Sequence, residues 1–267
     1  MGKFSGILIV SDIDGTLYNT ARQVSEENRR VLEWFKSEGG LFTLASGRTL
    51  PDVTAIDREL RLANTSLIGS NGAVVGDDGR VMWQCRFDER LPGTIQRILD
   101  RADYCDVEFV TPDHIAYYRP NLFTELHGKY VSDRFEEIAS LDDIPEDAAM
   151  VAFWMDKERI PEFKVLFAEL GADREYASFQ GFTYAYEMVP KGFGKGAAAQ
   201  WLKEMTGSHT LVCAGDSGND VSMLQAADLS FAPRSAMEEA QAAAKVVLSC
   251  TCDESIYPEI LDYIQNH

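Results

Sequence analysis

At 267 residues the chain is long enough to bury a sizeable core, as one large domain or two moderate ones. Hydrophobic residues make up 45% and charged residues 25%, ordinary values, while the formal net charge of -18 argues against nucleic acid or an anionic membrane as partner. An anionic substrate must then be drawn by local positive charge or by a metal. No apolar run approaches the length of a membrane span, and the N-terminus lacks the charged-then-apolar pattern of a signal peptide. Cys85, Cys105, Cys213, Cys250 and Cys252 form an odd, scattered set, which fits reduced thiols in the cytoplasm better than a disulfide framework. Cys250 and Cys252 are too closely spaced for the usual zinc pattern, and no His lies nearby.

In chain order, Ile7-Leu8-Ile9-Val10 predicts a strand buried on both faces, and it runs straight into Asp12-Ile13-Asp14-Gly15-Thr16. Residues 25–36 carry Val31, Leu32 and Phe35 at helical spacing and stop at Gly39-Gly40. A second buried strand, Leu41-Phe42-Thr43-Leu44-Ala45, ends in Ser46-Gly47-Arg48, and a helix is expected over residues 51–62. Leu67-Ile68-Gly69 ends in Ser70-Asn71-Gly72, and Asp77-Asp78-Gly79 signals a hairpin. This alternation lays down a doubly wound, mainly parallel, Rossmann-like α/β core.

The middle changes character. Residues 84–187 predict a helix after Pro92, a hairpin across Thr111-Pro112-Asp113, a helix over 121–130 and a segment at 135–138. A strand at 150–155, a helix over 160–170 and a hairpin turning at Gln180-Gly181 follow. We read this stretch as an inserted α+β cap, its antiparallel sheet covered on one face by helices, with hinges near residues 83–86 and 187–191. Residues 1–83 plus 188–267 then form the core. After Lys195 an Ala-rich helix ends at Gly207, and Leu211-Val212-Cys213-Ala214 is a strand opening into Gly215-Asp216-Ser217-Gly218-Asn219-Asp220. Strands at 229–232 and 246–248, a helix through Ala244 and a last helix near 258–264 close the sheet.

Three buried strands therefore end in polar or acidic residues, and parallel neighbours would bring Asp12, Asp14, Ser46, Asp216 and Asp220 to one sheet edge, where ligands bind in open α/β sheets. Carboxylates so gathered repel one another unless a cation joins them, and an all-oxygen donor set points to Mg2+. A cation beside a hydroxyl and a lone lysine suits a phosphoryl group in transfer. Read alone, Asp12 to Gly15 is equally an Asp-rich turn.

In order, Asp12-Ile13-Asp14-Gly15-Thr16, Ser46, Lys195 and Gly215-Asp216-Ser217-Gly218-Asn219-Asp220 resemble the four motifs of the haloacid dehalogenase superfamily of phosphohydrolases. The position of the insert is similar to the Cof-type branch with a type IIB cap. The resemblance implies Asp12 as nucleophile forming an aspartyl-phosphate, and Asp14 as general acid and then base. It implies Ser46 bonding the phosphoryl group and Lys195 offsetting its charge. Asp12, the main-chain carbonyl of Asp14 and Asp216 would hold Mg2+, with Asp220 in its water shell and Asn219 steadying the loop. Gly47, Arg48, Asn71 and Asn219 are the expected substrate or phosphate contacts. Ala232-Pro233-Arg234-Ser235-Ala236 departs from the Gly-Asn-Ala common in this branch, and Ser46 stands where threonine is frequent.

Plainer readings stand beside these. Lys195 at a helix start is equally a solvated charge, Arg48 can simply pair a surface carboxylate, and Asn71-Gly72 is a turn dipeptide. Glu187 reads as an ordinary strand residue. The four histidines, His114 and His127 among them, show no ligand spacing, and cap aromatics are usually packing. The expected function is a Mg2+-dependent phosphatase of small phosphorylated metabolites, a monomer or weak homo-oligomer. A phosphomutase and a non-catalytic metabolite-binding protein are the rivals.

Overall fold

The computed structural model describes residues 2–77, 80–128 and 135–267. Because Ile7-Leu8-Ile9-Val10 offers no polar face, it is satisfied only inside a sheet, and β1 (Ile7–Asp12) is the inner strand, with Leu8, Ile9 and Val10 fully buried. It is followed by α1 (Glu26–Ser37), β2 (Leu41–Ala45), α2 (Leu50–Leu60), β3 (Leu67–Gly69), β4 (Val74–Asp77) and β5 (Arg80–Gln84). Next come α3 (Leu91–Leu99), β6 (Asp106–Val110), β7 (Ile115–Tyr118), α4 (Leu122–Gly128), β8 (Phe135–Glu137), β9 (Met150–Trp154), α5 (Ile160–Glu169) and α6 (Ala172–Glu175). Then β10 (Tyr176–Phe182), β11 (Ala185–Pro190), α7 (Lys195–Thr206), β12 (Thr210–Ala214) and α8 (Val221–Ala226) lead to β13 (Leu229–Ala232), α9 (Glu238–Ala243), β14 (Val246–Val247) and α10 (Ile256–Asn266). The hairpin turn expected at Asp78-Gly79 and the end of the helix expected up to Tyr130 lie outside the described residues.

The first sheet has the order β14-β13-β12-β1-β2-β3-β4-β5. Strands β14 through β3 run parallel, and β4 and β5 close the edge antiparallel. Alternation along β1 sends Ile9 against α1 and α10, while Leu8 and Val10 meet Ala198 and Leu202 of α7 on the other face. Both faces are therefore covered, as a doubly wound sheet requires.

The second sheet, β10-β11-β9-β6-β7-β8, draws all its strands from residues 106–190. It departs from expectation in four places. β8 joins β7 in parallel, so the sheet is not wholly antiparallel. α3 and α5 pack on Val107, Phe109, Val151 and Phe153, as one-sided cover predicts, but α4 lies on the opposite face, with Phe123 stacked on Tyr184 and His127 on Trp154. The last hairpin turns at Thr183-Tyr184, and Gln180-Gly181 sits inside β10 at a register shift. A Cβ on Gly181 would strike the Glu187 carboxylate, so this glycine marks a close approach and not a turn. β11 stays paired through Tyr176↔Pro190, so the second sheet runs three residues past the boundary expected at 187.

Behind the strand tips, α10 ties into β1. Tyr257 donates its hydroxyl to Ser11 Oγ, which donates to the Asp12 carbonyl at 2.6 Å. Both side chains are buried, so a missing partner has no water to replace it. Tyr257→Phe is expected to lower the unfolding free energy by about 0.5–1.5 kcal/mol in urea titrations, with helix content unchanged.

Candidate active site

Asp12 ends β1 between two parallel neighbours. On one side Ser11 is level with Ala214, so Gly215-Asp216 opens beside Asp12, and on the other Asp12 is level with Ala45, which places Ser46 one step beyond. Gly15 turns the chain at φ +88, and any Cβ there would collide with the Asp216 carboxylate, so the glycine lets that carboxylate close on the backbone. Asp12, Asp216 and Asp220 each present a carboxylate oxygen within 4.8 Å of the others.

Lys195, the first residue of α7, is 0% exposed. A lysine at a helix N-terminus opposes the dipole, and burial opposes its charge, so it needs strong compensation. Two carboxylates supply it: Lys195 Nζ donates to Asp12 Oδ1 and to Asp220 Oδ1, each at 2.6 Å. The solvated-surface reading of Lys195 therefore falls. Asp220 is held in turn by the main-chain N–H groups of Asp216 (3.0 Å) and Ser217 (3.1 Å) on Oδ2.

Three carboxylates against one ammonium leave the cluster short of positive charge. Burial, then repulsion from Asp220, pushes the Asp12 carboxyl well above the ordinary range despite Lys195. Burial and Asp220 likewise push Asp216 up to about 7. For Lys195 burial works downward, but Asp12 and Asp220 outweigh it and hold the ammonium above its usual value. An all-oxygen donor set with excess negative charge fits a hard divalent cation.

Asp14 stands apart from that group. Its side chain is 47% exposed and is gripped by Arg48, Nε to Oδ2 at 3.0 Å and Nη2 to Oδ2 at 2.9 Å, with Arg22 at 3.7 Å. Arg48 thus has a carboxylate partner, though it also lines the cleft described below. Ser46 is buried and its Oγ accepts the Arg48 N–H at 3.2 Å. Asn71 and Asn219 are engaged with each other: Asn219 Nδ2 donates to Asn71 Oδ1 at 2.8 Å, and Asn219 Oδ1 accepts from Ser217 Oγ at 2.7 Å. Asn71, in the left-handed region at φ +52, donates its own Nδ2 to Glu187 Oε2 at 3.1 Å.

Glu187 is the residue that sequence reasoning passed over. It is 1% exposed on β11, and burial pushes its carboxyl up to about 8. A charged residue between Tyr186 and Met188 was the available signal, but only the fold shows that its partner comes from the first sheet. A cleft of about 430 Å³ separates the two sheets. Gly47, Arg48 and Arg22 line one side, and Glu108, His127, Trp154, Phe182 and Glu187 line the other. His114 instead bonds Thr111 and Asp113 within its own turn.

The sequence model of the haloacid dehalogenase-like hydrolases matches residues 9–260. The chain belongs to this family. Among its relatives, Bacillus subtilis phosphatase YwpJ is 28% identical over 92% of this chain and 95% of its own length. The 5-amino-6-(5-phospho-D-ribitylamino)uracil phosphatase YwtE of the same organism is 26% identical over 86% and 88%. The solved structure of the subclass IIB sugar phosphatase BT4131 superposes with a TM-score of 0.80 at 19% identity, covering 97% of this chain and 99% of that one, which is a likeness of fold. Among the described residues of this haloacid dehalogenase-like hydrolase, no helix is long and apolar enough to cross a membrane, and all five cysteines are free.

The raised carboxyl of Asp216 gives a pH test. A group whose folded pKa lies above its unfolded value contributes stability below the unfolded value and loses it as pH rises through the folded one, here about 7. Metal-free protein should therefore be weakened between about pH 4 and 7, and a divalent cation should offset that loss. Millimolar Mg2+ is expected to raise Tm more at about pH 7.5 than at about pH 5.5; equal shifts would remove the cation from Asp216.

Proposed function

We propose that this haloacid dehalogenase-type phosphatase hydrolyses small phosphomonoesters, sugar phosphates or similar metabolites, with Mg2+ and through a phosphorylated Asp12. The observation that carries the reading is the buried Lys195 bridging Asp12 and Asp220 beside an oxygen of Asp216. Lys195 engages Asp12 Oδ1, which leaves Oδ2 as the attacking atom. As the Asp12 oxygen–phosphorus bond forms, the bond from phosphorus to the ester oxygen breaks, and one hard displacement becomes two easier ones. Asp14 delivers a proton to the departing oxygen and later takes one from the attacking water, a role worth about 10²–10⁴-fold.

Arg48 grips Asp14 while no phosphate competes for it. An entering phosphoryl group gives Arg48 a second anion, loosens that grip and frees the Asp14 carboxyl to turn toward the departing oxygen. Ser46 donates to a phosphoryl oxygen, and Gly47 leaves room for that group at the cleft wall. Asn71 and Asn219 hold the wall behind the phosphate through their mutual bond. Asp12, the Asp14 carbonyl and Asp216 would hold Mg2+, with Asp220 in its water shell; when bound, the ion offsets charge on the transferring oxygens. The second sheet acts as a cap that excludes water and selects the leaving group, and a cleft of about 430 Å³ suits a small ester.

With p-nitrophenyl phosphate and Mg2+, Asp12→Asn and Asp14→Asn are each expected to lose at least about 10²-fold in kcat with unchanged circular dichroism. A wild-type rate in either variant removes that assignment. Lys195→Met leaves Asp12 facing Asp220 without a cation between them, and is expected to lose both rate and about 3–5 kcal/mol of stability. Chelation should stop turnover and Mg2+ restore it.

A further inference from the structure

The two sides of the cleft differ in charge. Among the described lining residues both arginines, Arg22 and Arg48, come from the first sheet's side, next to Asp14. The facing side carries two buried acids. Glu187 and Glu108 are both level with Ala152, from opposite sides of β9, so the three form one row across the second sheet. Two strand spacings put the acidic backbones about 10 Å apart, with only a methyl group between them as floor. Each acid is 1% exposed.

Glu108 has one protein partner among the described residues, the ring of His127, whose Nδ1 lies 3.0 Å from Oε1 and 3.1 Å from Oε2. One ring N–H shared between two carboxylate oxygens leaves most of their accepting capacity open. Beside them His127 packs on Trp154, and Trp154 stacks with Phe182, giving an aromatic wall. Trp154 lines the cleft, is nine-tenths buried, and its indole N–H has no partner among the described residues. A buried carboxylate with spare acceptors, a spare donor and flat apolar walls together describe the ligand. It offers N–H donors or positive charge, has a ring-shaped body, and carries an oxygen for the indole.

We propose that the second-sheet end of this cleft selects a zwitterionic phosphomonoester, one whose leaving alcohol bears an amine that Glu108 receives while Trp154 and Phe182 flank its ring. The inference rests on the phosphatase reading and names its substrate class. Among the described lining residues no lysine or arginine stands on the Glu108 side, so a second phosphate or a carboxylate on the leaving group would meet Glu108 without an arginine or lysine to offset it, and bisphosphates and phosphorylated acids are disfavoured. The overall charge of -18 acts in the same direction, since an internal positive charge lessens the repulsion that an anionic ester meets on approach.

The test compares matched esters with the Mg2+-loaded protein. Pyridoxamine 5′-phosphate is set against pyridoxine 5′-phosphate, glucosamine 6-phosphate against glucose 6-phosphate, and 6-phosphogluconate supplies a second anion. In at least one pair the amine is expected to be favoured in kcat/KM by about tenfold or more, with 6-phosphogluconate slowest. Glu108→Gln, nearly isosteric, should cut that amine preference at least about tenfold, chiefly through KM, while Glu108→Asp retains part of it. Equal rates within both pairs, a preference untouched by Glu108→Gln, or 6-phosphogluconate as the fastest substrate would each overturn the proposal and leave the phosphatase reading standing. Turnover of none of these esters would remove both.

Discussion

One buried lysine sets the terms for the rest of the molecule. Lys195 cannot reach solvent, so its charge persists only because Asp12 and Asp220 meet it at 2.6 Å. That requirement reaches into the backbone. Asp220 must be locked by the amides of Asp216 and Ser217, which in turn fixes the loop that presents Asp216 to Asp12. Gly196, one residue on, lies where a Cβ would strike the Ser222 carbonyl, so α7 packs close to α8 and carries the lysine inward. Lys195 nonetheless neutralises only part of three carboxylates, and a hard divalent cation would offset the rest.

The sheet serves that interaction. Because β1 lies between β12 and β2 in parallel, three strand tips emerge at one edge, and the residues one or two steps past each tip meet without a long loop. Asp14 is two residues from Asp12 but outside the carboxylate group, held by Arg48 nearer to solvent. The result is two aspartates in different surroundings: one buried against an ammonium, the other half-exposed in a guanidinium fork. Distinct surroundings are what the proposed nucleophile and the proposed proton carrier need from the same side-chain type.

Much of this was legible in the sequence, for a physical reason. Buried parallel strands are continuous apolar runs, so Ile7 to Val10, Leu41 to Ala45 and Leu211 to Ala214 announce themselves, and a charged residue at the end of such a run has few structural uses. Lys195 gained its meaning from position between motifs, while its burial is a matter of tertiary packing. The second sheet was harder. Its strands alternate, and alternation says which residues share a face but not what that face meets. Gly181 reads as a turn residue until Glu187 is seen against it, and Glu108 and Glu187 are 79 residues apart, level with each other only through Ala152. The parallel addition of β8 leaves no local mark at all, since register against β7 is set by partners far along the chain.

The bond from Asn71 to Glu187 joins what the two sheets do. Asn71 belongs to the turn after β3, held at φ +52 by its own main chain, whose N–H donates to the Ser46 carbonyl at 2.9 Å. Its side chain reaches Glu187 on one hand and Asn219 on the other, so β11 is linked through two amides to the Ser217–Asp220 loop. A buried carboxyl raised to about 8 is predominantly protonated near neutrality, and it then bonds Asn71 without adding charge to a cluster already in surplus. A lysine or arginine at position 187 would have set a second cation near the Lys195 ammonium, whose charge reaches this position, and a leucine would have left the Asn71 amide without its carboxyl acceptor. A glutamic acid held neutral avoids both faults, and for that reason the single acid of the strand Ala185–Pro190 is what ties the second sheet to the turn after β3.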